Sequence, residues 1–195
     1  FKAHKYTGIF ISAFFLMWFV TGIVLIYHPY PRVSEQLCNS HKEVLPSSLP
    51  ELDWIGDRVE GDLQAVKIRQ FQGQTLIDVK TKDKKAQLTT DTLQEIKSLD
   101  FKCVVNIARG WTDAPVAKVD TLHRREQWVL YSKYDKELPI YKFHFDDKDK
   151  TELFISGQSA QVLQLTTRKE RFWAYVGAIP HKLYFPFIRR NTDVW

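Results

Sequence analysis

Between Tyr6 and Tyr27 the chain carries no charged residue, and this run, YTGIFISAFFLMWFVTGIVLIY, restricts the fold more than any other feature. As a helix rising about 1.5 Å per residue it would reach roughly 33 Å, slightly more than the hydrocarbon core of a bilayer. Thr7, Ser12 and Thr21 are its polar residues apart from the tyrosines. In a helix each hydroxyl can bond back to a carbonyl one turn earlier, so none is stranded in lipid. Tyr6 and Tyr27 stand at the two ends, where an aromatic belt would place them. Two other readings compete. A signal peptide has a shorter apolar region ending in a small-x-small cleavage site, whereas this run leads into His28-Pro29-Tyr30-Pro31-Arg32. A core helix of a soluble domain would show a polar stripe, and this run is apolar all round. A transmembrane helix is therefore expected.

The rest of the chain is built for water. Of its 195 residues 26% are charged, and the mean hydropathy is −0.31 despite the apolar run. Lys2 and Lys5 precede the run while Arg32 and Lys42 follow it, a near balance that leaves orientation to the length of the following segment. An N-terminus in the cytoplasm and the main domain outside are expected. The net charge of +5 is a mild bias toward anionic ligands or lipid surfaces. With no basic helix and no aromatic stacking motif, nucleic-acid binding is not expected. Cys38 and Cys103 are compatible with a disulfide but do not imply one. The chain opens at Phe1 and stops at Trp195, as expected for part of a longer protein.

Beyond the apolar run the pattern is α+β. Proline and serine at Pro29, Pro31, Pro46, Ser47, Ser48 and Pro50 mark a connector. Glu51–Glu60 has Leu52, Ile55 and Val59 on one helical face. Alternation over Ala65–Arg69, Gln74–Lys80 and Ala86–Thr90 predicts strands, the first two joined at Gln72-Gly73. The order then repeats. Leu99–Arg109 has helical spacing and ends at Gly110. Strands are predicted at Val116–Leu122, Gln127–Lys133, Ile140–Phe145, Glu152–Ile155 and Gln161–Leu165, with charged turns at Lys133–Lys136 and Asp146–Lys150. Tyr141, Phe143 and Phe145 place aromatic rings on one face of their strand. A second apolar segment, Phe172–Ile179 with Pro180 and Leu183–Phe187 after it, is too short and interrupted to span alone, and lying at a membrane surface suits it.

Signatures of hydrolases, zinc proteases, P-loops and dinucleotide-binding folds are absent. Asp146, Asp147 and Asp149 crowd one turn but lack the glycine and closing glutamate of a calcium loop, so a solvated turn is favoured. The histidines say more. His4 and His28 bracket the span and His181 sits in the second apolar segment. Neutral imidazoles at a bilayer boundary suit the axial positions of haem iron. His4 and His28 stand about 36 Å apart along a helix, so they would serve two haems and not one. Interfacial histidines reaching for water are the competing reading. His41, His123 and His144 fall in polar or strand contexts that favour surface or packing roles.

His4-Lys5-Tyr6-Thr7-Gly8-Ile9-Phe10, Phe19-Val20-Thr21-Gly22-Ile23-Val24 and Gly177-Ala178-Ile179-Pro180-His181-Lys182-Leu183-Tyr184-Phe185 resemble the PepSY-associated transmembrane family of bacterial inner-membrane proteins, often iron-regulated. Glu152–Val162 looks like that family's strand-turn-strand signature without its usual Asp and Thr-Gly. The resemblance implies an α+β fold: an N-terminal transmembrane helix over 1–28, a connector over 29–50, PepSY-like helix-plus-meander repeats over 51–96 and 97–168, and an interfacial segment over 169–195 leading to a second span. It further implies a periplasmic main domain and b-type haem, with His4 as a ligand on the cytoplasmic side and His28 and His181 on the periplasmic side, their partners supplied by later helices. The expected function is transmembrane electron transfer that reduces ferric iron or a ferric siderophore. The alternative is a non-enzymatic PepSY module that binds or regulates an envelope protein partner, or an accessory subunit of a larger envelope complex.

Overall fold

A computed structural model describes residues 1–48, 51–59, 61–71, 73–82, 85–89 and 100–189. The expectations placed on Glu60, Gln72, Thr90, Leu99, Arg190 and Trp195 lie outside the described residues. The apolar run forms one uninterrupted helix, α1 (Lys2–Tyr27, 26 residues). It stops because Pro29 disfavours helical backbone at the residue before it, and His28 accordingly leaves the helix at φ −133°, ψ 80°. Only Thr21 of α1 is buried; Phe10, Phe15, Phe19 and Ile26 all stand open. This is not the core helix of a soluble domain. It is long and apolar enough to cross a membrane.

The connector holds a short helix, α2 (Glu35–Ser40), whose first turn is capped by the Ser34 hydroxyl accepting from the Leu37 amide at 3.1 Å. The helix expected over Glu51–Glu60 contracts to a single turn, α3 (Ile55–Arg58). Then follow β1 (Leu63–Phe71), β2 (Gln74–Thr81) and β3 (Lys85–Thr89), an antiparallel meander in the order β1-β2-β3. Phe71 pairs with Gln74 across the first hairpin, where Gly73 takes φ 77°, a backbone region other residues adopt at a cost. Next come α4 (Phe101–Arg109), β4 (Val116–Leu122), β5 (Ile140–Phe145), β6 (Glu152–Ser156) and β7 (Val162–Thr166), the four strands forming a second antiparallel meander in sequential order. Three helices close the described chain: α5 (Arg168–Val176), α6 (Ala178–Lys182) and α7 (Pro186–Arg189).

The chain forms two compact units, Ser34–Cys103 and Phe1–Val33 with Val104–Trp195. In the former, Ile77, Val79 and Leu88 pack under Ile55, with Leu52, Trp54 and Val59 around them. The predicted apolar face of the first helix is thus used although most of the helix is not formed.

In the other unit both faces of the four-stranded sheet are covered. One carries Phe143, Phe145, Leu153 and Ile155 against Val104 and Ala108 of α4, the aromatic face expected of β5. The opposite face places Ile140 and Phe154 against Tyr30, Trp128 and Val129 and against Ala174, Ala178 and Ile179 of α5 and α6. Alternating residues therefore bury alternately on both sides, and Leu153, Phe154 and Ile155 are each fully enclosed.

Gln127–Lys133, predicted as a strand, is not one. It forms a 3-10 turn over Gln127–Val129 and a second over Ser132–Glu137, which also absorbs the charged turn expected at Lys133–Lys136. Trp128, Val129 and Leu130 are buried consecutively, so an apolar run that looks like an enclosed strand is a plug instead. Two of its carbonyls are met by side chains: the Tyr30 hydroxyl donates to the Gln127 carbonyl, and Arg125 donates to the Leu130 carbonyl at 3.1 Å. In the acidic turn Asp146, Lys148 and Asp149 are exposed and Asp147 is half-buried. Asp147 accepts from the Thr151 amide at 2.7 Å and from its hydroxyl. Partial burial acts to raise the Asp147 carboxyl, but these bonds outweigh it and hold it below the ordinary aspartate range.

Two outcomes are expected. Phe154→Ala should lower unfolding stability by about 3–5 kcal/mol, whereas Phe172→Ala, on an open surface, should cost less than about 0.5 kcal/mol; denaturant unfolding of the detergent-solubilised chain reads both. Because the Asp147 pKa is depressed in the fold, its stabilisation is present above the unfolded-state value of about 3.9 and is lost as pH falls through the folded value. The decline of melting temperature below about pH 4 should accordingly be shallower in Asp147→Asn.

Candidate functional site

The three candidate histidines occupy two places. His4 lies in the first turns of α1 and is exposed. His28 caps the other end of the same unbroken helix, so the separation of about 36 Å expected between them stands. His181 is brought to α1 from far along the chain by α5 and α6.

The packing that brings it there is set by two glycines. At Gly177 the chain bends between α5 and α6, and a Cβ there would sit 2.7 Å from Val24 Cγ1 of α1. At Gly22 a Cβ would sit 3.0 Å from His181 Cε1. Small residues let two helices approach until side chain meets backbone, the usual way helices associate where no hydrophobic drive separates them from lipid. Pro180 falls in the first turn of α6, where its missing N–H costs no helical bond. His181 then lies over Trp18 with ring centroids 4.9 Å apart and planes within 9°.

The hydrogen bonds fix its tautomer. His181 Nδ1 is 3.1 Å from the Trp18 carbonyl oxygen and 3.4 Å from Thr21 Oγ1. A carbonyl can only accept, so Nδ1 carries the proton and donates. The Thr21 hydroxyl donates to the Met17 carbonyl at 2.8 Å and can itself accept from the same imidazole. Nε2 is left as the nitrogen with the lone pair, the arrangement in which a histidine with its other N–H on a carbonyl binds a metal. His28 is held differently, its ring stacked on Trp173 at 4.2 Å and 10°. Each imidazole at this end of α1 is thus paired face-to-face with an indole, one on α1 and one on α5.

Beside His28 opens a cavity of about 720 Å³, lined by Leu25, Tyr27 and His28 at the end of α1, by Pro29–Arg32, and by Lys169, Glu170, Trp173 and Lys182. Its floor is the connector, fastened by Tyr30. The phenol is buried among Trp128, Tyr184 and Ile179, and burial pushes its pKa well above the ordinary tyrosine value.

A polar network missed by sequence reading lies on the sheet. His144, expected in a surface or packing role, sits with Nε2 2.9 Å from Asp120 and Nδ1 3.5 Å from Glu152. Lys142 Nζ lies 3.0 Å from Glu126 and 3.1 Å from Glu152, and Arg171 approaches Glu152 at 3.7 Å. The Lys118 ammonium and His144 together hold the Asp120 carboxyl below its ordinary range. The available signal was register: Asp120 faces Lys142 and His144 faces Glu152 across adjacent strands. Among the described residues no group of three or more His, Cys, Asp or Glu could hold a metal ion. Cys38 and Cys103 are both thiols, and burial raises the Cys38 pKa.

No family model, curated protein or solved structure matches this chain.

Nitrogen-15 NMR of histidine-labelled protein in detergent should show His181 in the Nδ1–H form, with Nε2 resonating as an unprotonated nitrogen. Gly22→Leu should abolish that signature by driving the imidazole off α1, and the same spectrum reads it.

Proposed function

We propose that this chain is a PepSY-type membrane protein of the bacterial inner membrane, with α1 crossing the bilayer, the two helix-plus-meander units as PepSY-like repeats in the periplasm, and b-type haem as an electron carrier toward ferric iron or a ferric siderophore. One observation carries the reading: His181 has its Nδ1–H committed to the Trp18 carbonyl, leaving Nε2 as a ligand nitrogen beside the apolar helix. As a neutral imidazole with Nε2 free, His181 would hold the iron of a haem. His28, beside its cavity at the same end of α1, is a second candidate, and His4 is a candidate at the opposite end.

When bound, haem supplies reversible one-electron chemistry at its iron. The protein's own part is positioning. Thr21 and the Trp18 carbonyl hold the His181 ring at a fixed angle through the Nδ1–H bond, leaving Nε2 as the nitrogen that would hold the iron. Stacking on Trp18 restrains the ring, and the absence of a side chain at Gly22 makes the room it occupies. Stacking on Trp173 restricts His28 similarly.

The test is the optical spectrum of the protein purified in its native length from haem-sufficient cells. A Soret band is expected, and its absence defeats the proposal. His181→Ala should remove or shift that band, while His41→Ala, on the polar α2 side of the connector, should leave it unchanged. An unaltered band in His181→Ala removes His181 from the ligand set.

A further inference from the structure

We infer that the cavity at the end of α1 is a binding site for a phosphate group, carried by an anionic phospholipid of the leaflet that α1 enters last. The inference needs α1 to lie in a bilayer but needs no haem.

Three fixed cations, Arg32, Lys169 and Lys182, line this cavity against one carboxylate, Glu170. That carboxylate is already engaged: it accepts from the Thr167 amide at 2.8 Å and from its hydroxyl at 2.9 Å, closing the cap of α5. No ion pair among the described residues uses Arg32, Lys169 or Lys182. Lys182 lies 5.7 Å over the Tyr184 ring, and Arg32 interacts with the Tyr131 phenol, contacts that orient both cations without neutralising them. Elsewhere in the same unit the basic residues Lys118, Arg125, Lys142, Lys150 and Arg171 each have a carboxylate within 4 Å. The three cations of this cavity have no such partner among the described residues, so its lining carries net positive charge.

Charge alone would admit any small anion. The surroundings favour one attached to a lipid. The cavity wall includes Leu25 and Tyr27 of the last turn of the apolar helix, and Trp173 forms another part of it. Directly along α1, Ile23, Ile26 and Tyr27 expose 45%, 77% and 75% of their surface, a greasy track on which acyl chains would lie while the headgroup enters the cavity. A guanidinium and two ammonium groups around one opening match a phosphodiester oxygen pair, and His28 adds a ring nitrogen that can donate. Basic residues at a membrane boundary bind anionic lipid with roughly fivefold in affinity per cation.

The test is native mass spectrometry of the full chain released from detergent, titrated separately with phosphatidylglycerol, phosphatidylcholine and inorganic phosphate. One phosphatidylglycerol per chain should be retained in preference to phosphatidylcholine. Lys169→Gln, at an exposed position, should reduce that preference roughly fivefold, and the triple change Arg32→Gln, Lys169→Gln, Lys182→Gln should abolish it, with circular dichroism confirming helix content. Equal retention of the two lipids, or a preference untouched in both variants, overturns the inference. So does displacement of the lipid by inorganic phosphate, which would make a soluble phosphate the ligand. None of these readouts involves haem, so failure here and failure of the Soret test are separate results.

Discussion

The contact between α1 and α6 governs this half of the molecule. It is a backbone-level approach: Gly22 and Gly177 remove the side chains that would hold the two helices apart, and the imidazole of His181 fills the space by bonding to the Trp18 carbonyl. Such a carbonyl is already spoken for by its own helix, and its second lone pair is what His181 uses. Because α6 is seated this way, Ala178 and Ile179 are delivered to the core under the sheet, and Lys182 to the rim of the cavity beside His28. A larger residue at either glycine would disturb the site and the core together.

How much of this was legible in the sequence differs by the range of the interaction. The helix from Lys2 to Tyr27 follows from composition alone, because an unbroken apolar run has few other outcomes and Pro29 ends it. Strands β4 and β5 were readable to the residue, since their alternation reports the two faces of a sheet. The 127–133 segment was not, because consecutive burial over 127–130 erases the period that distinguishes a strand from a plug. His181 could be singled out by its apolar surroundings, but its partner could not: Trp18 and His181 meet only through folding, and a glycine's role in close approach has no local sign. The cation cluster at the cavity is of the same kind, drawing Arg32, Lys169 and Lys182 from separate elements. The paired charges of Asp120, Lys142, His144 and Glu152 fall between, predictable once strand register is known and not before.

The two faces of the four-stranded sheet divide the work. One is sealed by α4 with apolar side chains. The other mixes Ile140 and Phe154 with the ion pairs of Lys142 and Glu152, and it receives the connector, α5 and α6. Charged side chains beside a core demand mutual geometry, since each one left without its counterpart would carry its desolvation cost alone. The network therefore specifies how the strands register more than it adds to their stability.

Past His28 the chain is stitched to the sheet unit at two successive points: the Tyr30 hydroxyl reaches the Gln127 carbonyl, and Gln164 of β7 donates to the Pro31 carbonyl at 2.8 Å. Together with the α1–α6 contact, these bonds tie the apolar rod to the sheet of the same unit at three places, so that displacing one carries the other.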